Sequence, residues 1–318
     1  MTTYNEIFGK YVKNYSSDPS NDIEGQIWYN STSGTFKSQV LVAAAWASGG
    51  NMGTARFSLA GCGTQTAGLG FGGEIPGSVA TTATEEYDGS AWAGGGSLGT
   101  ARYRLAGAGT QTAGLAFGGV TTQITNVTQE YDGSTWSPGG NLATARRQLA
   151  GAGTQTAGLA FGGFVPPSSA ATEEYNGTSW SPGGNLGTAG NRLAGAGTQT
   201  AGLAFGGAGR TSSTEEYDGS AWTAGGNLGT ARYGLAGAGT QTAGLGFGGA
   251  TPVTGATELY DGTSWTSTTS MGTARYLMGG AGIQTAGVGF AGTTGPAIVS
   301  NTEEFTGAVL TTKTITTS

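Results

Sequence analysis

Five arginines recur at one place in a repeating sequence: Arg56, Arg102, Arg146, Arg232 and Arg275 each close a Gly-Thr-Ala-Arg or Ala-Thr-Ala-Arg tetrapeptide. Fourteen of the 19 acidic residues fall in a second recurring block of the form Glu-Glu-Tyr-Asp-Gly, among them Glu86, Glu130, Glu174, Glu216 and Glu304. Two kinds of chemistry fit such a set. A ring of guanidinium groups can grip an anionic ligand, or each arginine can pair bidentately with a carboxylate on a nearby strand. Repetition favours the pairs, because one small ligand needs few of several equivalent sites. In one unit Gly190 stands in the arginine's place and Arg192 follows two residues later, which reads as a substitute on the same strand face.

Other chemistry is excluded by what is missing. There is no histidine, so no imidazole serves as general base or metal ligand. The single cysteine, Cys62, permits neither an internal disulfide nor a thiolate-rich zinc site. Its repeat position is elsewhere alanine (Ala108, Ala152, Ala196, Ala238), which marks it as a small buried residue. The Asp-Gly pairs at Asp88, Asp132, Asp218 and Asp261 resemble calcium loops, but calcium needs several oxygens from one loop. Asp-Gly is first of all a tight-turn signal. A net charge of −6 argues against nucleic acid as a partner. No apolar run approaches the roughly 18 residues of a membrane span, and the start lacks the plan of a secretory signal. The expectation is therefore no metal, no cofactor, no nucleic acid and no membrane insertion.

Glycine supplies 64 of 318 residues and charged residues only 10%, a composition that could signal disorder. Repetition decides otherwise. The segment LAGAGTQTAGLAFGG stands unchanged at 105–119, 149–163 and 193–207, and returns altered at 59–73, 235–249 and 278–292. Six units follow, with their Phe-Gly or Phe-Ala steps 42–46 residues apart. A helical repeat fails, since each glycine costs about 1 kcal/mol in a helix relative to alanine. Four short strands per unit fit, for example 101–109, 113–119, 128–133 and 134–142, bounded by glycine and Asx turns.

Antiparallel alternation then sorts the connections onto two ends. At one end lie near-identical Thr-Gln-Thr turns with Gln65, Gln111, Gln155, Gln199, Gln241 and Gln284. At the other lie loops between second and third strands whose lengths and sequences vary. The varied end is expected to meet an external ligand, with Phe164, Val165, Pro166, Pro167, Arg210 and Pro252 as candidate contacts. Trp46, Trp92, Trp136, Trp180, Trp222 and Trp265 recur where the fourth strand opens, a place that suits packing between units better than sugar stacking.

Each unit has an Arg-led first strand, a second ending Phe-Gly-Gly, a Tyr-Asp closing the third and a Trp opening the fourth. In this order the chain resembles the kelch repeat family over roughly residues 46–310. The resemblance implies an all-β, kelch-like β-propeller of six four-stranded blades. Either 308–316 or 40–50, which contains Trp46, closes the ring. The domains expected are an attachment arm at 1–39, with a β-hairpin, and the propeller at 40–318.

The arm contains Asp18-Pro19-Ser20-Asn21 and Glu24-Gly25-Gln26-Ile27-Trp28-Tyr29-Asn30, with Asp22 where proline is common. It is similar to a short module at the start of many proteins of tailed marine phages. That resemblance implies a non-enzymatic bacteriophage virion protein from tail, fibre or capsid surface, assembled in the host cytoplasm in multiple copies per particle. Its partners would be other virion proteins, reached through the uniform end or the arm, with Trp28, Tyr29 and Phe36 as attachment residues. A host-surface glycan or receptor would be the external ligand. The competing expectation is a cytoplasmic kelch-type scaffold for protein–protein interaction. An enzyme ranks third, because the acids, bases and metal ligands of catalytic propellers are not found.

Overall fold

The computed structural model describes residues 12–21, 23–208 and 211–316, and all regular structure among them is strand. Residues 46–306 form one compact unit; 1–45 and 307–318 form the other.

In the first unit, short runs of Ala, Gly, Thr and aromatic residues pair into six four-stranded antiparallel sheets. Blade 3 shows the plan: Ala150–Gly153, Gly158–Phe161, Thr172–Tyr175 and Trp180–Pro182 run from axis to rim. The six innermost strands contact one another in a closed cycle, so the sheets form a six-bladed β-propeller. Glycine in those strands is a packing requirement. A Cβ on Gly195 would sit 2.6 Å from the carbonyl oxygen of Gly151 in the preceding blade.

With so little bulk at the axis, the adhesion between blades lies further out. Phe71, Phe117, Phe161, Phe205, Phe247 and Phe290 are buried, and each packs on the tryptophan of the following blade at 4.7–5.1 Å between ring centroids. Each indole N–H donates to a threonine hydroxyl of the preceding blade, as Trp180 does to Thr128 at 2.9 Å. The tryptophans thus combine a large apolar contact with a satisfied polar tip.

Trp46 settles how the ring closes. Ala45–Ser48 is the fourth strand of blade 6, beside Thr302–Thr306. Its indole donates to Thr257 at 3.0 Å and lies 5.1 Å from Phe247, as each other repeat tryptophan lies against the phenylalanine of its own preceding blade. The C-terminal segment has no tryptophan to offer. Val309–Thr314 instead pairs antiparallel with Thr35–Val42, in a four-stranded sheet with Ile27–Asn30 and Lys13–Tyr15. The expected boundaries are corrected accordingly: 40–45 and 307–318 belong with the arm and not with the propeller. The expected hairpin is Ile27–Asn30 against Thr35–Val42.

Candidate functional site

The five repeated arginines are fully buried structural plugs. Arg146 donates to the carbonyls of Gly162 and Ala171 at 2.9 and 2.6 Å and meets Glu173 at 2.8 Å, all within its own blade. Arg56, Arg232 and Arg275 make the corresponding pairs with Glu85, Glu258 and Glu303 at 3.1, 2.8 and 3.2 Å. In blade 2 the partner is neutral: Arg102 donates to Gln129 at 3.0 Å, and burial pushes its guanidinium down to about 10. Each guanidinium of this set is taken up by acceptors within its own blade.

The recurring acids and aromatics are also committed to the frame. The Asp88 carboxylate accepts the backbone N–H groups of Ser90 and Ala91, both at 2.8 Å, as an Asx turn does. The Cys62 thiol is buried, which pushes it up to about 12. Among the described residues no group of three or more His, Cys, Asp or Glu could hold a metal.

What remains is the end where the varied loops emerge. In five blades the first residue of the loop pairs with a residue just ahead of an innermost strand: Glu74 with Phe57, Val120 with Tyr103, Phe164 with Arg147, Ala250 with Tyr233, and Thr293 with Tyr276. In blade 4 Ala208 N donates to Asn191 O at 2.7 Å. The loops are thereby tied to the mouth of the central channel. Phe164 is half-buried under the Arg147 guanidinium, 4.9 Å from its ring centroid; Val165 is half-buried, and Pro166, Pro167 and Pro252 are exposed. Arg210 lies outside the described residues.

One position further on, Ser58, Arg104, Gln148, Arg192, Gly234 and Leu277 encircle the mouth. Each backbone N–H donates to the carbonyl of the equivalent residue in the preceding blade, at 2.7–3.0 Å, and the six bonds form a closed ring. Closing it requires a left-handed backbone at every member, with φ between 53° and 64°. For an L-residue other than glycine that conformation costs roughly 1–2 kcal/mol. Gly234 shows that glycine fits, and the chain uses glycine freely elsewhere, yet five of the six members carry side chains.

Those side chains make a lopsided site. Arg104 stacks on Tyr103 and Arg192 on Tyr233, at 5.1 and 5.2 Å. The Gln148 amide oxygen, turned toward Arg192, accepts from its Nε and Nη2 at 2.8 and 3.1 Å. Opposite them stand Gly234, Leu277 and Ser58, whose buried hydroxyl has no hydrogen-bond partner. Together with Leu59, Leu105, Leu149, Leu193, Leu235 and Met278 they enclose about 100 Å³. This assignment corrects the reading of Arg192. It is the blade-4 counterpart of Arg104 and no substitute for the arginine missing at Gly190.

The arrangement of sheets recurs in a solved structure, that of YjhT, with a TM-score of 0.68. The match covers 82% of this chain and 99% of that one at 11% sequence identity. At that identity the likeness is one of fold. No protein-family model matches the chain, and no curated protein matches it.

The arm residues divide differently from expectation. Trp28 is fully buried, and its indole N–H donates to Asp18 at 3.2 Å. Asn30 and Lys37 also donate to Asp18, at 2.7 and 2.8 Å, and these two hold its carboxyl below the usual carboxylate range. The Asp, Trp, Asn and Lys of the motif are therefore a structural knot, and Trp28 cannot be a surface contact. Tyr29 packs on Phe36 at 5.1 Å, and of the two only Phe36 is exposed. Beside it, sequence reasoning missed Val40, Leu41, Val42, Val309 and Ile315, each 41–48% exposed on the same small sheet.

Proposed function

We propose that this protein is a non-enzymatic binding propeller of a phage particle, whose axial mouth holds the anionic group of a host-surface glycan. The single observation that carries the binding role is the set of five side chains kept in a left-handed backbone around the mouth. Strain retained where glycine would relieve it points to use. Two guanidinium groups, an amide and an unpartnered hydroxyl match a carboxylate or sulfate, with Leu277 against an apolar edge. A volume of about 100 Å³ admits one such group and no more, since sites for whole small molecules run to about 300 Å³ or above. The ligand is therefore the tip of something larger. Arginine stays protonated and offers no proton transfer near neutral pH, which supports binding over catalysis.

Attachment to the particle is assigned to the arm. Among the described residues, eight of the ten exposed large hydrophobics lie in it, from Ile23 to Val42 and at Val309 and Ile315. Mass spectrometry of purified particles tests the location: the chain is expected at many copies per particle, and its absence ends the virion reading. A glycan array tests the ligand. Uronate- or sulfate-bearing glycans are expected to bind in a salt-sensitive manner and neutral ones to be passed over; equal binding of both overturns the mouth as the site.

A further inference from the structure

Blade 4 is built around an arginine that it does not have. In blade 3 the guanidinium of Arg146 is held by Gly162 O, Ala171 O and Glu173, and in blade 5 that of Arg232 by Gly248 O, Ala256 O and Glu258. Arg102 adds the carbonyl of Ala116 to this set. The same four acceptors in blade 4 are Gly206 O, Ser213 O, Glu215 and Ala204 O, and they line one cavity of about 30 Å³. That exceeds the roughly 10–15 Å³ needed for a single water. Gly190, at the arginine's position, contributes no side chain to fill it.

The backbone around this slot is undistorted, while the Leu193 side chain leans in, its Cδ2 2.7 Å from where a Cβ on Gly190 would stand, and must swing aside for an occupant. Gly190 O still accepts from Gly163 N at 2.7 Å and Gly190 N still donates to Ser169 O at 3.2 Å, as Arg146 does with Gly119 and Thr125 at 2.8 and 3.3 Å. Compensation for the missing donors is partial. The Thr211 hydroxyl donates to Gly206 O at 3.1 Å. Among the described residues Glu215 accepts only the N–H groups of Gly187 and Thr188, at 2.6 and 3.2 Å, the same two positions that Glu303 accepts from, Gly272 and Thr273, with its arginine in place. An ionised carboxylate has about four acceptor sites, so Glu215 retains capacity for a cation. Thr188 and Ala189 at the rim are exposed, so the slot can be reached from solvent.

We propose that the blade-4 slot binds a monoalkylguanidinium ion, supplied either as a free small molecule or as the arginine side chain of a partner chain. Convergent carbonyl oxygens with one carboxylate match the planar fork of a guanidinium, as four blades of the same molecule demonstrate. Calcium, by contrast, takes six to eight oxygens. The slot shares Leu193 with the mouth and has the opposite charge preference.

The test uses the full chain. Methylguanidinium, at ten times its dissociation constant, is expected to raise the Tm by about 2–4 °C. Gly190→Arg, which supplies the plug covalently, is expected to raise the Tm itself and to abolish the response. Glu215→Gln is expected to weaken binding at least about tenfold. Arg146→Gly, which opens a second slot, is expected to double the stoichiometry in calorimetry if it folds; Gly190→Arg decides the matter regardless. A blocked three-residue peptide Gly-Arg-Gly separates the sources: binding of the peptide points to a partner's arginine, binding of methylguanidinium alone to a free ligand. An undiminished response in Gly190→Arg overturns the proposal. So does binding that appears only in Arg210→Ala, because the occupant would then be this chain's own arginine.

Discussion

The two ends of the propeller obey the same sixfold geometry and use it in opposite ways. At the turn end, all six glutamines send Nε2 to two carbonyls of the preceding blade, at 2.6–3.1 Å. One residue type performs one task six times. At the mouth, six positions equally equivalent in backbone carry Ser, Arg, Gln, Arg, Gly and Leu. Uniformity at the turn end has a packing reason and needs no partner to explain it. Diversity at the mouth has no packing reason and persists against a backbone cost.

The same contrast, rule against exception, exists at the blade interfaces and gives the largest expected effect. Five tyrosines reach across to a glutamate of the preceding blade, as Tyr175 does to Glu130 at 2.5 Å and Tyr131 to Glu86 at 2.6 Å. At the junction of blades 5 and 6 both partners are replaced together, by Leu259 and Phe305. Burial and the carboxylate push the five phenols up to about 12, from an ordinary value of 10.0. The unfolded chain therefore ionises first as pH rises. Stability from these groups is complete below pH 10 and is lost between 10 and 12. The Tm is expected to fall steeply over that window, with tyrosine absorbance titrating late in the folded protein. Leu259→Glu with Phe305→Tyr should add a sixth pair and steepen the fall. A Tm flat across the window removes these pairs from the account of stability.

A smaller effect is expected from one staple at the turn end. Gln155→Ala leaves Gly114 O and Tyr131 O without the donor that reaches them at 3.1 and 2.7 Å. The loss is about 2–3 kcal/mol, or roughly 4–9 °C in Tm by thermal melting. Glycan binding at the mouth should be unchanged. If binding falls with stability, the two ends are not independent.

Most of the frame was legible in the sequence because it is repeated. Period, strand order and the role of the tryptophans follow from residues that return in register, and so does an arginine–carboxylate pair. The carboxylates are Glu85, Glu173, Glu258 and Glu303, whereas Glu86, Glu130, Glu174, Glu216 and Glu304, singled out in the sequence, accept tyrosine hydroxyls instead. Closure was legible only as a choice between two segments; Trp46 decided it through its hydrogen bond to Thr257, a contact 211 residues distant in sequence. The mouth was overlooked for the opposite reason. Its residues form a column, just ahead of the Leu-Ala-Gly block, where no two neighbouring units agree. Counting back from Leu193 places Arg192 beside Arg104, whereas counting forward from Gly190 makes it look like a displaced plug. Sequence shows that a column varies; that its members share φ near 55° and a closed hydrogen-bond ring is visible only in three dimensions. Trp28 failed as a surface residue because a tryptophan in a polar hairpin looks exposed until Asp18 is seen to bind its indole.

The smallest stability effect is expected at the mouth itself, and it discriminates most sharply. Replacing a half-buried arginine ordinarily forfeits packing. At Arg104 and Arg192, however, glycine also releases a backbone held at φ 56°. The relief of roughly 1–2 kcal/mol offsets the lost stacking on Tyr103 and Tyr233, itself about 0.5–1 kcal/mol. Both Arg104→Gly and Arg192→Gly should therefore melt within about 3 °C of the parent, Arg104→Gly on the higher side and Arg192→Gly on the lower because it also forfeits two hydrogen bonds to Gln148, while each loses retention of anionic glycan. Gln155→Ala is expected to show the reverse, with lost stability and kept binding. A drop of several degrees in either glycine variant would mean that the arginines are there to hold the ring together, and the mouth would then be as structural as the turn end.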